Sequence, residues 1–128
     1  MGGVYILLGM GFIPAINAKR LPVMFPDFDA PIGGVAYHGL LDFSFMFGLD
    51  LLVIGGFLLW ASRAPRRHLN LVWLIVWLEL IRGIADDIYM IASGYEPGFY
   101  IGFIVLHILI IVTGIIFLQR AQGISVER

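Results

Sequence analysis

Ionisable side chains interrupt several long apolar segments of this 128-residue sequence. Each segment approaches the roughly 20 residues that a helix needs to cross a bilayer. A charged group at membrane depth is costly unless it turns toward a partner inside the protein. The sequence therefore predicts one intramembrane polar network, formed by Asp50, Glu79, Arg82, Asp86 and His107.

Helical spacing places three members of this network on one stripe. Glu79 lies three residues before Arg82, and Arg82 lies four residues before Asp86, so these side chains share a helical face. At a rise of about 1.5 Å per residue, Asp50 and His107 reach the depth of Glu79, roughly 12–17 Å from the extracytoplasmic end. Two interpretations stay open. The network either holds helices together by satisfied polar contacts, or forms a proton path or polar binding pocket.

A second set of side chains has ligand types that suit a metal ion. His38 and Asp42 are four residues apart, so they share a helical face, and Asp86 or its neighbour Asp87 could add further ligands. One histidine with carboxylates suits Mn, Fe or Zn. The competing interpretation is that His38, Asp42 and Asp86 meet lipid headgroups and water near the membrane surface.

Other chemistry finds no support in the residue types. The chain has no cysteine, which excludes disulfides, thiolate metal sites and cysteine nucleophiles. Ser44 and Ser62 have no accompanying base, and no glycine-rich phosphate loop or dinucleotide fingerprint is present. A net charge of −1 provides no basic field for nucleic acid. The residues therefore identify no cofactor and no catalytic group, and they do not indicate an enzyme.

The elements that carry these residues are predicted to be membrane helices. Hydrophobic residues make up 60% of the chain and charged residues 13%, against about 25% charged residues in soluble domains. We expect an all-α membrane protein, a single transmembrane domain over residues 1–128. Its four-transmembrane-helix bundle is predicted to span residues 2–16, 40–61, 69–89 and 99–118. Pro14 should bend or end the first helix.

The segments between the spans predict the orientation. An extracytoplasmic loop is expected over residues 17–37, where three prolines exclude a long helix and aromatic residues favour the membrane interface. Lys19 and Arg20 lie on that side. Five arginines lie on the other side: Arg63, Arg66, Arg67, Arg120 and Arg128. Because basic residues favour the cytoplasmic side, both termini are expected in the cytoplasm, with the protein multi-pass in a bacterial inner membrane.

Three stretches of the chain resemble a known family. They read GFIPAINAKRLP, GLLDFSFMFGLDLLVIGGFLLWASR and LVWLIVWLELIRGIADDIYMIASGY. They are similar to the BphX-like family of small four-span bacterial integral membrane proteins. Some members are encoded near genes for the breakdown of aromatic compounds, so the resemblance implies an accessory role linked to a hydrophobic or aromatic substrate. It supplies no catalytic residues.

Three functions are compatible with these observations. The first is an accessory or structural subunit that packs, in the bilayer, against a partner membrane protein or in a homo-oligomer. The second is a small permease or proton-coupled carrier that uses the polar network. The third is a metal-dependent membrane enzyme that uses His38, Asp42 and Asp86.

Overall fold

The computed structural model describes residues 1–25 and 28–123, which form helices joined by turns, with no strand among them. The all-helical prediction is therefore confirmed. The prolines and acids of the predicted loop include Pro26 and Asp27, which lie outside the described residues, as does Arg128.

The helices are α1 (Gly2–Gly11), α2 (Pro14–Met24), α3 (Val35–Ala61), α4 (Leu69–Leu78), α5 (Ala85–Ala92) and α6 (Pro97–Gly123). A short 3₁₀ turn (Pro65–His68) precedes α4, and a π-helical segment (Glu79–Ile84) joins α4 to α5.

Two helices are long and apolar enough to cross a membrane, namely α3 and α6, with mean hydropathies of 1.9 and 2.9. The bent pair of α1 and α2 adds a third if it forms one span. A helix of 27 residues such as α3 is roughly 40 Å long, more than the hydrocarbon thickness of a bilayer. The chain therefore has the helices of a membrane protein. The predicted third span is helical over residues 69–92 but carries four charged side chains.

Pro14 separates the first two helices, as the sequence predicts. The axes of α1 and α2 meet at 82°, and Pro14 is the first residue of α2, where its missing N–H costs no helical hydrogen bond. The guanidinium of Arg20 donates to the carbonyl of Gly11 at 2.9 Å, which caps the end of α1. The first helix therefore ends at residue 11, whereas the sequence predicted an end at residue 16.

The predicted loop begins with a helix because Pro22 is accommodated inside α2. A proline within a helix removes the hydrogen bond to the carbonyl four residues earlier, here that of Ala18. The hydroxyl of Tyr37 donates to this carbonyl at 3.4 Å. Tyr37 also packs with Leu21 and Leu41 in a buried cluster, against which Phe25 and Phe28 lie. This packing extends α3 back to Val35, five residues earlier than predicted.

The chain divides into two compact units, Met1–Arg63 and the part from Ala64 onward. In the first unit α1 packs against α3 along a seam of glycines. A Cβ atom on Gly9 would lie 2.8 Å from the carbonyl oxygen of Gly48, and one on Gly55 would lie 2.9 Å from that of Gly2. Gly2 and Gly9 are seven residues apart on α1, and Gly48 and Gly55 are seven residues apart on α3, so the close contact recurs every second turn. Small residues of this kind let membrane helices approach at backbone distance.

The second unit is a helical hairpin, in which α4, the π-helical segment and α5 pack against α6. The turn between α5 and α6 contains Gly94 at φ +92°, a conformation that favours glycine. Glu96 then caps α6, because its carboxylate accepts hydrogen bonds from the N–H groups of Gly98 (3.0 Å) and Phe99 (2.8 Å). In this hairpin α6 runs back alongside the π-helical segment and α5, which carry the charged side chains.

Candidate functional site

Three ionisable side chains meet inside the second unit. The imidazole Nδ1 of His107, on α6, is hydrogen-bonded to Oε2 of Glu79, the first residue of the π-helical segment. The other ring nitrogen, Nε2, lies 3.4 Å from Oδ2 of Asp87 on α5. Glu79 and Asp87 are buried, with 4% and 6% of their surfaces exposed. One imidazole is thus held between two buried carboxylates.

The π-helical segment explains why Asp87 reaches His107. A regular α-helix places residues seven apart on one face, which would align Glu79 with Asp86. A π turn holds about one more residue than an α turn, so one extra residue enters the helix without rotating the residues after it. Residues eight apart then share a face, and Asp87 takes the position beside His107. The side chain of Asp86 is exposed.

The same insertion produces a regular stripe along the face that meets α6. Its members follow at intervals of four residues: Ile75, Glu79, Gly83 and Asp87. Ile75 is fully buried, and it continues the face on the α4 side of Glu79. A continuous α-helix would rotate this series by about 120° over its length, because each interval of four residues advances by about 400°. The π turn removes most of that rotation.

Gly83 provides the space for the imidazole. A Cβ atom on Gly83 would lie 2.6 Å from Nδ1 and 2.7 Å from Cγ of His107. Real side chains do not approach so closely, so any larger residue would displace the ring. The absence of a side chain at Gly83 is therefore a condition for the contact between His107 and Glu79.

Two polar side-chain atoms of this unit are buried without a hydrogen bond to any described residue. Oδ2 of Asp87 and the hydroxyl of Tyr100 have no hydrogen-bond partner within the described part of the chain. A buried polar atom left unpaired costs about 1–3 kcal/mol. The ring of Phe103 lies beside that of His107, with centroids 6.3 Å apart. The surroundings of the imidazole are therefore apolar on one side and acidic on the other.

The predicted network is only partly brought together. Glu79 and His107 are in contact. Arg82 and Asp86 belong to the same unit, and both side chains are exposed. Asp50 lies on α3 in the other unit. The contact between Glu79 and His107 is thus present, and the complete network of five residues stays a prediction.

The first unit has a different polar feature, on the exposed face of α3. The side chains of His38, Asp42 and Asp50 are exposed, while Gly48 and Gly55 face α1. Neither aspartate forms a hydrogen bond or ion pair with another described residue of the first unit. Apolar side chains on the same face are also exposed: Met46, Val53 and Phe57. We call this surface the α3 acidic face, defined by Asp42, Met46, Asp50, Val53 and Phe57.

The predicted metal ligands do not form a cluster in the described ranges. Within residues 1–25 and 28–123, no three His, Asp or Glu side chains are placed to hold one metal ion. His38 and Asp42 lie on α3, and Asp86 belongs to the other unit. The metal site therefore gains no support from the geometry and stays a prediction.

Two residues of the site could not be assigned to it from the sequence. Helical periodicity places Asp87 among the carboxylates of the outer surface, and it gives Gly83 no role. Both residues depend on the π turn, and a sequence shows no pattern that distinguishes a π turn from an α turn. The only signal in the sequence is that Glu79, Gly83 and Asp87 follow one another at intervals of four residues. This spacing places all three on one helical face only if the helix contains one extra residue between Glu79 and Asp87.

Comparison with known proteins gives a family match. The family model described as BphX-like matches residues 1–123. No curated protein and no solved structure matches the chain. The family match covers both units, including α3 with its acidic face and the site around His107.

Proposed function

We propose that this chain, which belongs to the BphX-like family, is an accessory subunit of a larger membrane assembly and docks through the α3 acidic face. The observation that carries the proposal is the place of Asp50. It lies 15 residues into α3, about 23 Å along a helix of roughly 40 Å, on an exposed face that is otherwise largely apolar. An ionised carboxylate at that depth does not face acyl chains without a partner.

Charge complementarity supports a partner helix that carries Lys or Arg near mid-bilayer. Asp42 and Asp50 are eight residues apart and present two negative charges on the α3 acidic face. A second copy of α3 in the same register would bring like charges together, which is unfavourable in a medium of low dielectric constant. A basic residue on a different membrane helix would neutralise Asp50 and bury the apolar side chains around it.

The topology belongs to the same proposal. Residues 69–92 form a further span because Glu79 and Asp87 turn inward against α6, which leaves Leu74, Ile81 and Ile88 exposed to lipid. With this segment, and with the bent pair of α1 and α2 as one span, the chain crosses the membrane four times, as a multi-pass protein of a bacterial inner membrane. Arginines in the turn at residues 63–67 and at Arg120 favour cytoplasmic termini. The four-helix bundle and the link to a hydrophobic or aromatic substrate stay predictions.

Purification of the tagged chain from native membranes in a mild detergent tests the proposal. We expect the wild-type protein to co-purify with a larger membrane protein in a fixed ratio. The Asp50→Leu variant should lose at least nine-tenths of the co-purified partner. Asp50→Glu, which keeps the charge, and Met46→Leu, a matched change on the same face, should retain the partner. The partner should contain a basic residue inside a spanning helix, and exchanging the two charges should restore the complex.

Two results would overturn the proposal. One is a wild-type protein that purifies alone or only as a homo-oligomer. The other is an Asp50→Leu variant that retains its partner in full while circular dichroism shows an unchanged helix content.

The contact of His107 with two carboxylates favours a second candidate function, a small proton-coupled carrier. Buried carboxylates and histidines inside membrane helices are the groups that proton relays use. The π-helical segment supports this candidate, because such turns occur frequently at functional sites. If Glu79→Gln abolishes proton-dependent uptake in vesicles while the protein keeps its fold, the carrier is favoured over the accessory subunit.

A further inference from the structure

We infer that Glu79, His107 and Asp87 form an intramembrane proton-binding site that holds one proton in each contact between a ring nitrogen and a carboxylate oxygen. This inference goes beyond the accessory role and does not depend on a partner protein. It rests on the geometry of the second unit alone.

The two ring nitrogens of His107 set the number of protons in the contacts. A neutral imidazole has one N–H group and one nitrogen with a lone pair. If both carboxylates were ionised beside a neutral ring, a lone pair of His107 would face a negatively charged oxygen. One proton in each nitrogen–oxygen contact avoids that repulsion. Either His107 is an imidazolium between two carboxylates, or one carboxyl group keeps a proton and donates it to the ring.

The net charge of the site allows one more proton to bind. With two protons in the contacts, the three side chains together carry a charge of −1, whichever atoms hold the protons. A third proton, taken up on a carboxylate oxygen, makes the site neutral. The second carboxylate oxygen of Asp87 can take it, because Oδ2 already faces Nε2 at 3.4 Å and the carboxyl group is buried. The site can therefore bind and release one proton while the ring stays between its partners.

Few other charges lie near the site. On the elements packed around it, the other ionisable side chains are Arg82, Asp86, Tyr89, Tyr100 and Arg120, and α4 contributes none. Arg82 and Asp86 are exposed. The π turn places Asp87, and not Asp86, in contact with the ring. Substitution of Asp87 by Asn should therefore change the protonation of His107, whereas the same substitution of Asp86 should not. That difference provides a matched pair of variants.

The experiment is nitrogen NMR of the purified full-length protein in lipid nanodiscs at neutral pH, with ¹⁵N-labelled histidine. His107→Gln identifies the signals of His107 among the three histidines of the chain. For the wild type we expect both ring nitrogens of His107 to be protonated, or to share a proton with a carboxylate, without a free pyridine-type nitrogen. Asp87→Asn should produce a pyridine-type signal, and Asp86→Asn should leave the spectrum unchanged.

The histidine spectra can contradict the inference in two ways. A wild-type His107 with an ordinary pyridine-type nitrogen overturns it, and so does an equal response to Asp86→Asn and Asp87→Asn. If Asp87→Asn fails to fold, the wild-type spectrum and the spectrum of Glu79→Gln test the inference instead. Glu79→Gln should also produce a pyridine-type signal, because it removes the other carboxylate partner of the ring. The accessory role can fail in the co-purification experiment without changing any of these spectra.

Discussion

Asp87 lies 3.4 Å from the imidazole of His107, while the adjacent Asp86 is exposed. The difference between these neighbours comes from one extra residue in the π-helical segment Glu79–Ile84.

The contact between Glu79 and His107 should contribute measurably to stability. We expect a coupling energy of about 1–2 kcal/mol, the upper range for interhelical polar contacts in membranes. It can be measured in a double-mutant cycle with Glu79→Gln and His107→Gln, by unfolding in mixed detergent micelles. The matched pair Asp86→Asn with His107→Gln should show a coupling close to zero. Equal coupling in both cycles would contradict the assignment of Glu79 as the partner.

Substitution of Gly83 should disturb the site through a clash. A Cβ atom at this position would lie 2.6 Å from the ring of His107, so Gly83→Ala should destabilise the protein by about 1–3 kcal/mol. Thermal unfolding in detergent measures the change. Gly102→Ala on α6 is the control, because nothing lies within 4 Å of a Cβ atom there. In a His107→Ala background, Gly83→Ala should destabilise the protein far less, because the ring that it would clash with is gone. An undiminished loss of stability in that background would refute the clash.

Deletion of Ile81 should be tolerated although it shortens a helix. The π-helical segment contains one residue more than an α-helix needs, and the side chain of Ile81 is exposed. Removal should convert the segment to α-helix and keep Glu79 and Asp87, then seven residues apart, on one face. Deletion of Leu74 in α4 should instead turn residues 69–73 by about 100° away from the face that carries Ile75 and Glu79, and so lower the free energy of unfolding. Thermal unfolding in detergent measures both deletions, and an equal loss of stability would be evidence against the π turn.

The glycine seam of the first unit should tolerate no enlargement. A Cβ atom on Gly48 would lie 2.6 Å from Cβ of Phe12 and 3.0 Å from the carbonyl oxygen of Gly9. Gly48→Ala should therefore lower the free energy of unfolding by about 1–3 kcal/mol. Gly56→Ala on the same helix is the matched control, since its Cβ atom would meet nothing within 4 Å. If both variants lose the same stability, the seam is not a close contact.

The proposed four-span topology can be mapped directly because the chain has no cysteine. Single cysteines at Ser62 and Ser93 should react with a membrane-impermeant thiol reagent from opposite sides of the membrane. Ser62 precedes the arginine-rich turn and is expected in the cytoplasm, and Ser93 ends α5 on the other side. Labelling of both from the same side would mean that residues 69–92 do not cross.

Much of the architecture can be predicted from the sequence because it depends on local properties. Apolar runs longer than a bilayer is thick predict membrane helices wherever they occur, and Pro14 ends a helix by its own ring geometry. Buried ionisable groups also reveal themselves, because charges inside apolar runs need partners. For this reason the sequence predicted that Glu79 and His107 belong to one network.

The choice of partners was decided by the tertiary structure alone. The sequence predicted a stripe of Glu79, Arg82 and Asp86 because it assumed 3.6 residues per turn throughout. The extra residue in the π turn shifted the face by one position, which placed Asp87 beside His107 and required Gly83 to lack a side chain. Such a turn is stabilised by the contacts it makes with another helix, and those contacts exist only after α6 has packed against it. The types of side chain in the membrane are thus a property of the sequence, and their pairing is a property of the fold.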